Sequence, residues 1–229
     1  MGWFRFKGKN SKDYGILISS APQRVRPARR VEEIEIPGRS GNLTQDEETY
    51  DAYVISIECG TRGSDRLDEI VAWLNGAGEL ILSTEPDKVY QASIYNKISI
   101  ADQIYLYNSF LLQFKVQPFK YRANPFRDDL ELTAPTIIRN SGTVYSEPII
   151  TVYGSGDITL SINGTDFPLY GVNESITIDS EMMEVFKGNM NQNSKYGGET
   201  FPRFEVGENA ISWTGNVTKI EIQPKWRWL

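Results

Sequence analysis

The sequence predicts a mainly β protein of two domains: a β domain with one helix over residues 1–130, then an all-β sandwich over residues 131–229. Three observations carry that reading. Apolar and polar residues alternate with period two along most of the chain, as half-buried strands require. One segment only, residues 64–78, has helical periodicity. Between the two strand-rich blocks, near residues 123–147, the prolines Pro125, Pro135 and, just beyond, Pro148, with many turn formers, mark a boundary.

The elements follow in order. "YVISIEC" (53–59) places Tyr53, Ile55, Ile57 and Cys59 on one face of a strand. "SDRLDEIVAWLNGAG" (64–78) sets Leu67, Ile70, Val71 and Leu74 in one apolar stripe, with Ser64 or Asp65 as the cap and Asn75-Gly76 as the end. That helix is a cover for a sheet. "FLLQFKVQPF" (110–119) turns Phe110, Leu112, Phe114 and Val116 inward and Gln113, Lys115 and Gln117 outward. "DITLSING" (157–164) alternates Ile158, Leu160 and Ile162 and then turns at Asn163-Gly164, a strong hairpin signal. "ESITID", "MEVFK", "NAISW" and "VTKIEIQ" read as further short strands between Gly, Asn and Pro clusters. The two blocks end alike, in "FKVQPFKYR" and "IEIQPKWRWL", which leaves open a return of the last strand, 218–229, toward the first domain.

Composition narrows the function. The chain has no histidine and one cysteine, Cys59, so Ser-His-Asp and Cys-His catalysis, His-bearing metal sites, thiolate clusters and an internal disulfide are all excluded. Paired carboxylates and oxygen-ligand metal sites are the chemistries left open. With 24 basic and 30 acidic residues the net charge is −6, which repels phosphates on average and argues against a dedicated nucleic-acid binder. No apolar run approaches the roughly 18 residues of a membrane span, and the first residues lack the apolar core of a signal peptide.

Four stretches are candidate sites. "IEIPGRSGNL" (34–43) looks superficially like a phosphate loop. Such a loop needs a following helix, however, and here Asp46, Glu47 and Glu48 precede another strand, so a strand–loop–strand connection is expected. Its Pro37, Gly38, Arg39 and Gly41 are candidate interface residues. "RVRPARR" (24–30) has four arginines in seven residues, of which Arg26 and Arg29 are candidate protein contacts; the plainer reading pairs these charges with Glu32 and Glu33. "IDSEMMEVFKG" (178–188) offers Asp179, Glu181 and Glu184 to a glycosidase reading, but alternation puts 179 and 181 on one strand face and 184 on the other, with the Met182-Met183 and Val185-Phe186 pairs as core. "WRWL" (226–229), with Trp213 and Tyr196, allows a carbohydrate-binding sandwich as an alternative; terminal aromatics that close a sheet are the commoner case.

With these residues laid out, the chain resembles the distal tail proteins (Dit) of long-tailed, non-contractile bacteriophages and their prophages. "PGRSGNL", "WLNGAGELILSTEPDKVYQASI", "NSGTVYSEPIITVYGSGDITLSING", "IDSEMMEVFKG" and "GENAISWTGNVTKIEIQPKWRWL" carry the resemblance, in that order. It implies a tail-tube-like N-terminal domain that closes into a homohexameric ring, and a galectin-like or jelly-roll C-terminal sandwich. It also implies a structural virion protein at the tail tip, assembled in the host bacterial cytoplasm, with no enzymatic activity, no cofactor and no membrane. The implied partners are further copies of the chain, the tail tube protein, a tail-tip or tail-associated lysin or fibre protein, and receptor-binding or baseplate proteins. Phage DNA would pass through the channel without specific binding. The short second domain shows no inserted carbohydrate-binding module.

Overall fold

Alternation builds the first sheet. The computed structural model describes residues 2–22, 24–61, 66–95, 100–102 and 108–229, and the chain divides into two units, Met1–Ala123 together with Leu229, and Asn124–Trp228. The first unit runs β1 (Phe4–Phe6), β2 (Lys9–Asn10), β3 (Ile16–Ile18), β4 (Arg29–Glu35), β5 (Asn42–Tyr50), β6 (Tyr53–Thr61), α1 (Leu67–Trp73), β7 (Gly76–Leu82), β8 (Glu85–Ile94), β9 (Ile100–Asp102) and β10 (Asn108–Arg122). Among the described residues the main sheet has the order β2-β1-β7-β8-β10-β6-β3, with β9 also on β10.

The longest ladder in this sheet is β10 on β6, antiparallel from Asn108 opposite Thr61 to Val116 opposite Tyr53. That register puts Phe110, Leu112, Phe114 and Val116 on the same inner face as Ile55, Ile57 and Cys59, all of them buried. Phe4, Phe6, Leu80 and Leu82 extend the core from β1 and β7. Each such large side chain, moved out of water, contributes about 1.5–3 kcal/mol.

Helix α1 covers the core but is shorter than its periodicity suggests. Its expected cap, Ser64 or Asp65, lies outside the described residues. Gly76 takes φ +79° and starts β7, so residues 76–78 are strand. Val71 faces solvent, and Trp73 takes its place in the apolar stripe with Ile70 and Leu74. The Trp73 indole stacks on Phe4 and Tyr14, and its Nε1–H donates to the Phe6 carbonyl at 2.9 Å. A polar handle on a large apolar ring is what fixes this helix to the sheet.

The second unit runs β11 (Leu130–Leu132), β12 (Thr136–Asn140), β13 (Ile149–Ile162), β14 (Thr165–Asp179), β15 (Glu184–Lys187), β16 (Met190–Asn191) and β17 (Gly207–Gln223). Its sheet has the order β11-β17-β13-β14-β15-β16, with β12 also on β17, and it curls around one core. Asn163 and Gly164, at φ +53° and +82°, make the expected tight turn from β13 to β14. The Asn163 carboxamide is held across the sheet: its Nδ2 donates to Asn209 Oδ1 at 2.8 Å, and its Oδ1 accepts from the Ala210 N–H at 2.9 Å.

The short strands read at the end of the sequence are joined in the structure. "NAISW" and "VTKIEIQ" are one strand, β17, and "ESITID" is the last part of β14. Gly-containing stretches that read as turns are bulges within continuous ladders, with register shifts near Gly154–Thr159. Glycine is required there by close approach. A Cβ at Gly154 would lie 2.2 Å from the Asn216 carbonyl oxygen, and one at Gly215, φ +98°, 2.6 Å from that of Asp157.

Residues 218–223 are interior to this sheet, paired with β13 and β11. Gly154→Ala is expected to lower the unfolding free energy by about 1–3 kcal/mol through overpacking. Urea denaturation measures it; an unchanged midpoint would contradict the contact at Asn216.

Candidate assembly interface

Among the described residues, strands β4 and β5 pair only with each other, Arg29 opposite Tyr50 through Glu35 opposite Asn42. Every residue of both strands is exposed except Tyr50, which is half-buried. The pair is therefore an arm of the first unit, and no described residue covers either face beyond Tyr50 at its base. At about 3.3 Å per residue, the seven residues of β4 reach roughly 23 Å.

The tip answers the question raised by "PGRSGN". The Arg39 N–H donates to the Ile36 carbonyl at 3.1 Å, and Gly38 sits at φ +81°. Proline at the second position and a left-handed glycine at the third define a type II turn. Gly41, at φ +83°, returns the chain to β5. The segment is a strand–turn–strand connection, so no helix dipole aims at the turn.

The base is held by three contacts. Tyr50 packs edge-on against Phe119 of β10, with ring centroids 5.7 Å apart. The Asp51 N–H donates to the Ala28 carbonyl at 2.9 Å. The Arg30 Nε donates to Asp51 at 2.6 Å, and that hydrogen bond and charge raise the guanidinium further above its ordinary value. Along the arm, Arg29 Nε donates to Asp46 at 2.8 Å, and Asn42 donates to Glu33 at 2.8 Å. Arg29 and Arg30 thus pair with Asp46 and Asp51, not with Glu32 and Glu33 as sequence proximity suggested. In a hairpin the opposing strand is nearer to a side chain than its own neighbours of opposite face. Exposed pairs of this kind contribute about 0–1 kcal/mol.

The structure thus brings Pro37, Gly38, Arg39 and Gly41 together at the tip, and places Arg29 at the base. Arg26 lies in the segment before the arm, exposed, next to the buried Pro27. Sequence reasoning missed the apolar side chains of the arm. Ile34 stands directly opposite Leu43, and Ile36 follows on the same face; all three are exposed. The alternation "VEEIEI" carried this signal but reads equally as an ordinary half-buried strand.

The remaining candidates resolve into structure. Asp179 and Glu184 are directly opposed across β14 and β15, so they share a face, contrary to the linear alternation, because residues 180–183 form a turn. Asp179 Oδ1 accepts from the N–H groups of Glu181 and Met182, and Glu181 pairs with Lys225 at 2.8 Å. The same turn lifts Met182 and Met183 out of the core into solvent, while Val185 stays buried. Trp226 is buried, and Trp213 and Trp228 pack against the second core. Arg227, also buried, pairs with Glu147 at 2.7 Å.

Comparison with known proteins places this geometry. Residues 9–116 match the family described as the phage tail protein RIFT-related domain. No curated protein matches the sequence. Among solved structures, the chain is similar to the Dit (gp 19.1) protein of SPP1, described as a paradigm of the hub adsorption apparatus in phages infecting Gram-positive hosts. The likeness has a TM-score of 0.79 at 15% identity and covers 100% of both chains. The comparisons thus agree with the resemblance drawn from the sequence at two levels: residues 9–116 are similar to a phage tail domain, and the whole chain shares the fold of this solved structure.

Tyr50→Ala is expected to loosen the arm while sparing the core. An aromatic contact of about 0.5–1.5 kcal/mol corresponds to up to roughly tenfold faster amide exchange. Hydrogen exchange should show this within residues 29–50 and leave β6 and β10 unchanged; uniform protection would mean that Phe119 does not anchor the arm.

Proposed function

We propose that this chain, which is similar to a phage tail RIFT-related domain over residues 9–116 and shares the fold of a distal tail protein, forms a hexameric hub of a long-tailed phage. The ring joins the tail tube to the tail tip or baseplate and lets DNA through. The observation that carries the ring is the arm. A two-stranded hairpin alone in water is marginal, and its two outer edges are open templates for pairing. Completion by neighbouring copies supplies the missing surface.

Head-to-tail association with a closing rotation uses matching surfaces on every copy and leaves none exposed. A first unit of about this size has a radius of gyration near ~14 Å. Six equal discs in contact enclose a hole about one disc wide, which is ample for a double helix. Six chains of net charge −6 together carry −36. A bore lined with carboxylates would give phosphates few counter-charges, so DNA would slide without being held.

Light scattering of purified protein, over a wide concentration range and with tail-tube protein added, is expected to reach six times the 26.0 kDa chain mass. Micrographs should then show rings; a chain that stays single under all these conditions rejects the ring. Arg39→Ala, at the tip of the arm, is expected to impair ring assembly or tail attachment and to reduce infectivity by tenfold or more. Infectivity equal to wild type removes Arg39 as a contact.

A further inference from the structure

The first unit also carries a groove of about 370 Å³ on the outer face of its main sheet, against the segment that leads into the arm. Val54 and Ser56 of β6 and Leu111 of β10 line it from below, and Val25 and Ser20 from the side. Val25, Val54 and Leu111 are 43–48% exposed, an unusual concentration of aliphatic side chains on the solvent face of a sheet. Among the described residues of a single chain these three side chains stay exposed to solvent. The arm's own Ile34, Ile36 and Leu43 are 37–50% exposed, so a chain's arm does not lie in its own groove.

The two surfaces are complementary. On the arm, Ile34 and Leu43 form a directly opposed pair with Ile36 and Glu32 along the same face. The arm as a whole has Arg29, Arg30 and Arg39 against six carboxylates, a net charge of −3. Arg26 adjoins the lining residue Val25 in sequence and is exposed, and Lys115 stands opposite Val54 on the same outer face, with Glu58 the acid among the lining residues. Arg24, on the other side of Val25, instead lends its charge to Glu85. Burial alone would raise that carboxyl, but hydrogen bonds from Tyr90 and Lys120 and the charges of Lys120 and Arg24 hold it below the ordinary glutamate range.

We infer that the arm of one copy docks in the groove of the next, seating Ile34, Ile36 and Leu43 against Val25, Val54 and Leu111, with the arm's carboxylates toward Arg26 and Lys115. This rests on the ring reading and names its contact. Arm and groove are different surfaces present once per chain, which is the condition for a head-to-tail contact that repeats and closes. A reach of roughly 23 Å spans much of a neighbouring domain of this size.

The test uses the full chain carrying Ile34→Cys and Leu111→Cys together, since the natural thiol, Cys59, is buried at 2% exposure and pushed up to about 12 by that burial. Mild oxidation of assembled protein is expected to give a disulfide ladder ending at a covalent hexamer on non-reducing gels. Each single-cysteine variant should stay monomeric there. Leu111→Arg, chosen in case the pair perturbs folding, is expected to raise the concentration for half-assembly by tenfold or more while the melting temperature of the isolated chain holds. Rings that form normally but give no cross-link between copies, or in which Leu111→Arg assembles like wild type, overturn this contact and leave the ring standing. A link only to another tail protein does the same. Failure of the unmodified chain to form rings under any condition removes both.

Discussion

A β-strand carries hydrogen-bonding groups along both edges and side chains on both faces, and water must be replaced on at least one face for the strand to persist. That requirement organises this chain. In each unit one face of a sheet is buried among the chain's own residues: Phe114, Ile57 and Trp73 in the first, Leu160, Ile220 and Phe204 in the second. The arm of β4 and β5 is the exception. It satisfies its inner hydrogen bonds and, beyond Tyr50 at its base, leaves both faces to solvent, including the four aliphatic side chains of Val31, Ile34, Ile36 and Leu43. The chain thus folds two cores of its own and leaves one hairpin without such a cover.

The same requirement explains which parts were readable in advance. Where alternation meets a buried face, residue identity and position agree one for one, as in residues 110–116 and 158–162. The tight turn at Asn163-Gly164 was equally legible, because its backbone angles admit few other residues. The tip of the arm could be assigned as a turn because a phosphate loop demands a helix and the sequence supplies a strand.

What stayed hidden depended on the third dimension. Alternation cannot say whether any face of a strand is covered, so the arm looked like every other strand. Arginines 29 and 30 were read against their sequence neighbours, whereas antiparallel pairing brought Asp46 and Asp51. The glycines at 154 and 215 looked like chain breaks; they are places where neighbouring backbones come within a side chain's width of each other. Met182 and Met183 looked like core because they are apolar, yet the hydrogen bonds of Asp179 curl that turn outward. Trp73 replaced Val71 in the helix stripe because an indole fills the space above Phe4 and bonds to the Phe6 carbonyl as well.

The turn at Asn163 has a consequence for the chemical lifetime of the chain. Asparagine before glycine is the pair most prone to deamidation, since the unhindered glycine nitrogen attacks the carboxamide carbon and ammonia leaves. Here both ends of that carboxamide are tied to the opposite strand, through Asn209 and the Ala210 amide. Cyclisation would have to break both bonds and swing the group toward its own backbone. A sequence element chosen for a sharp reversal is thereby shielded from the ageing that such an element invites.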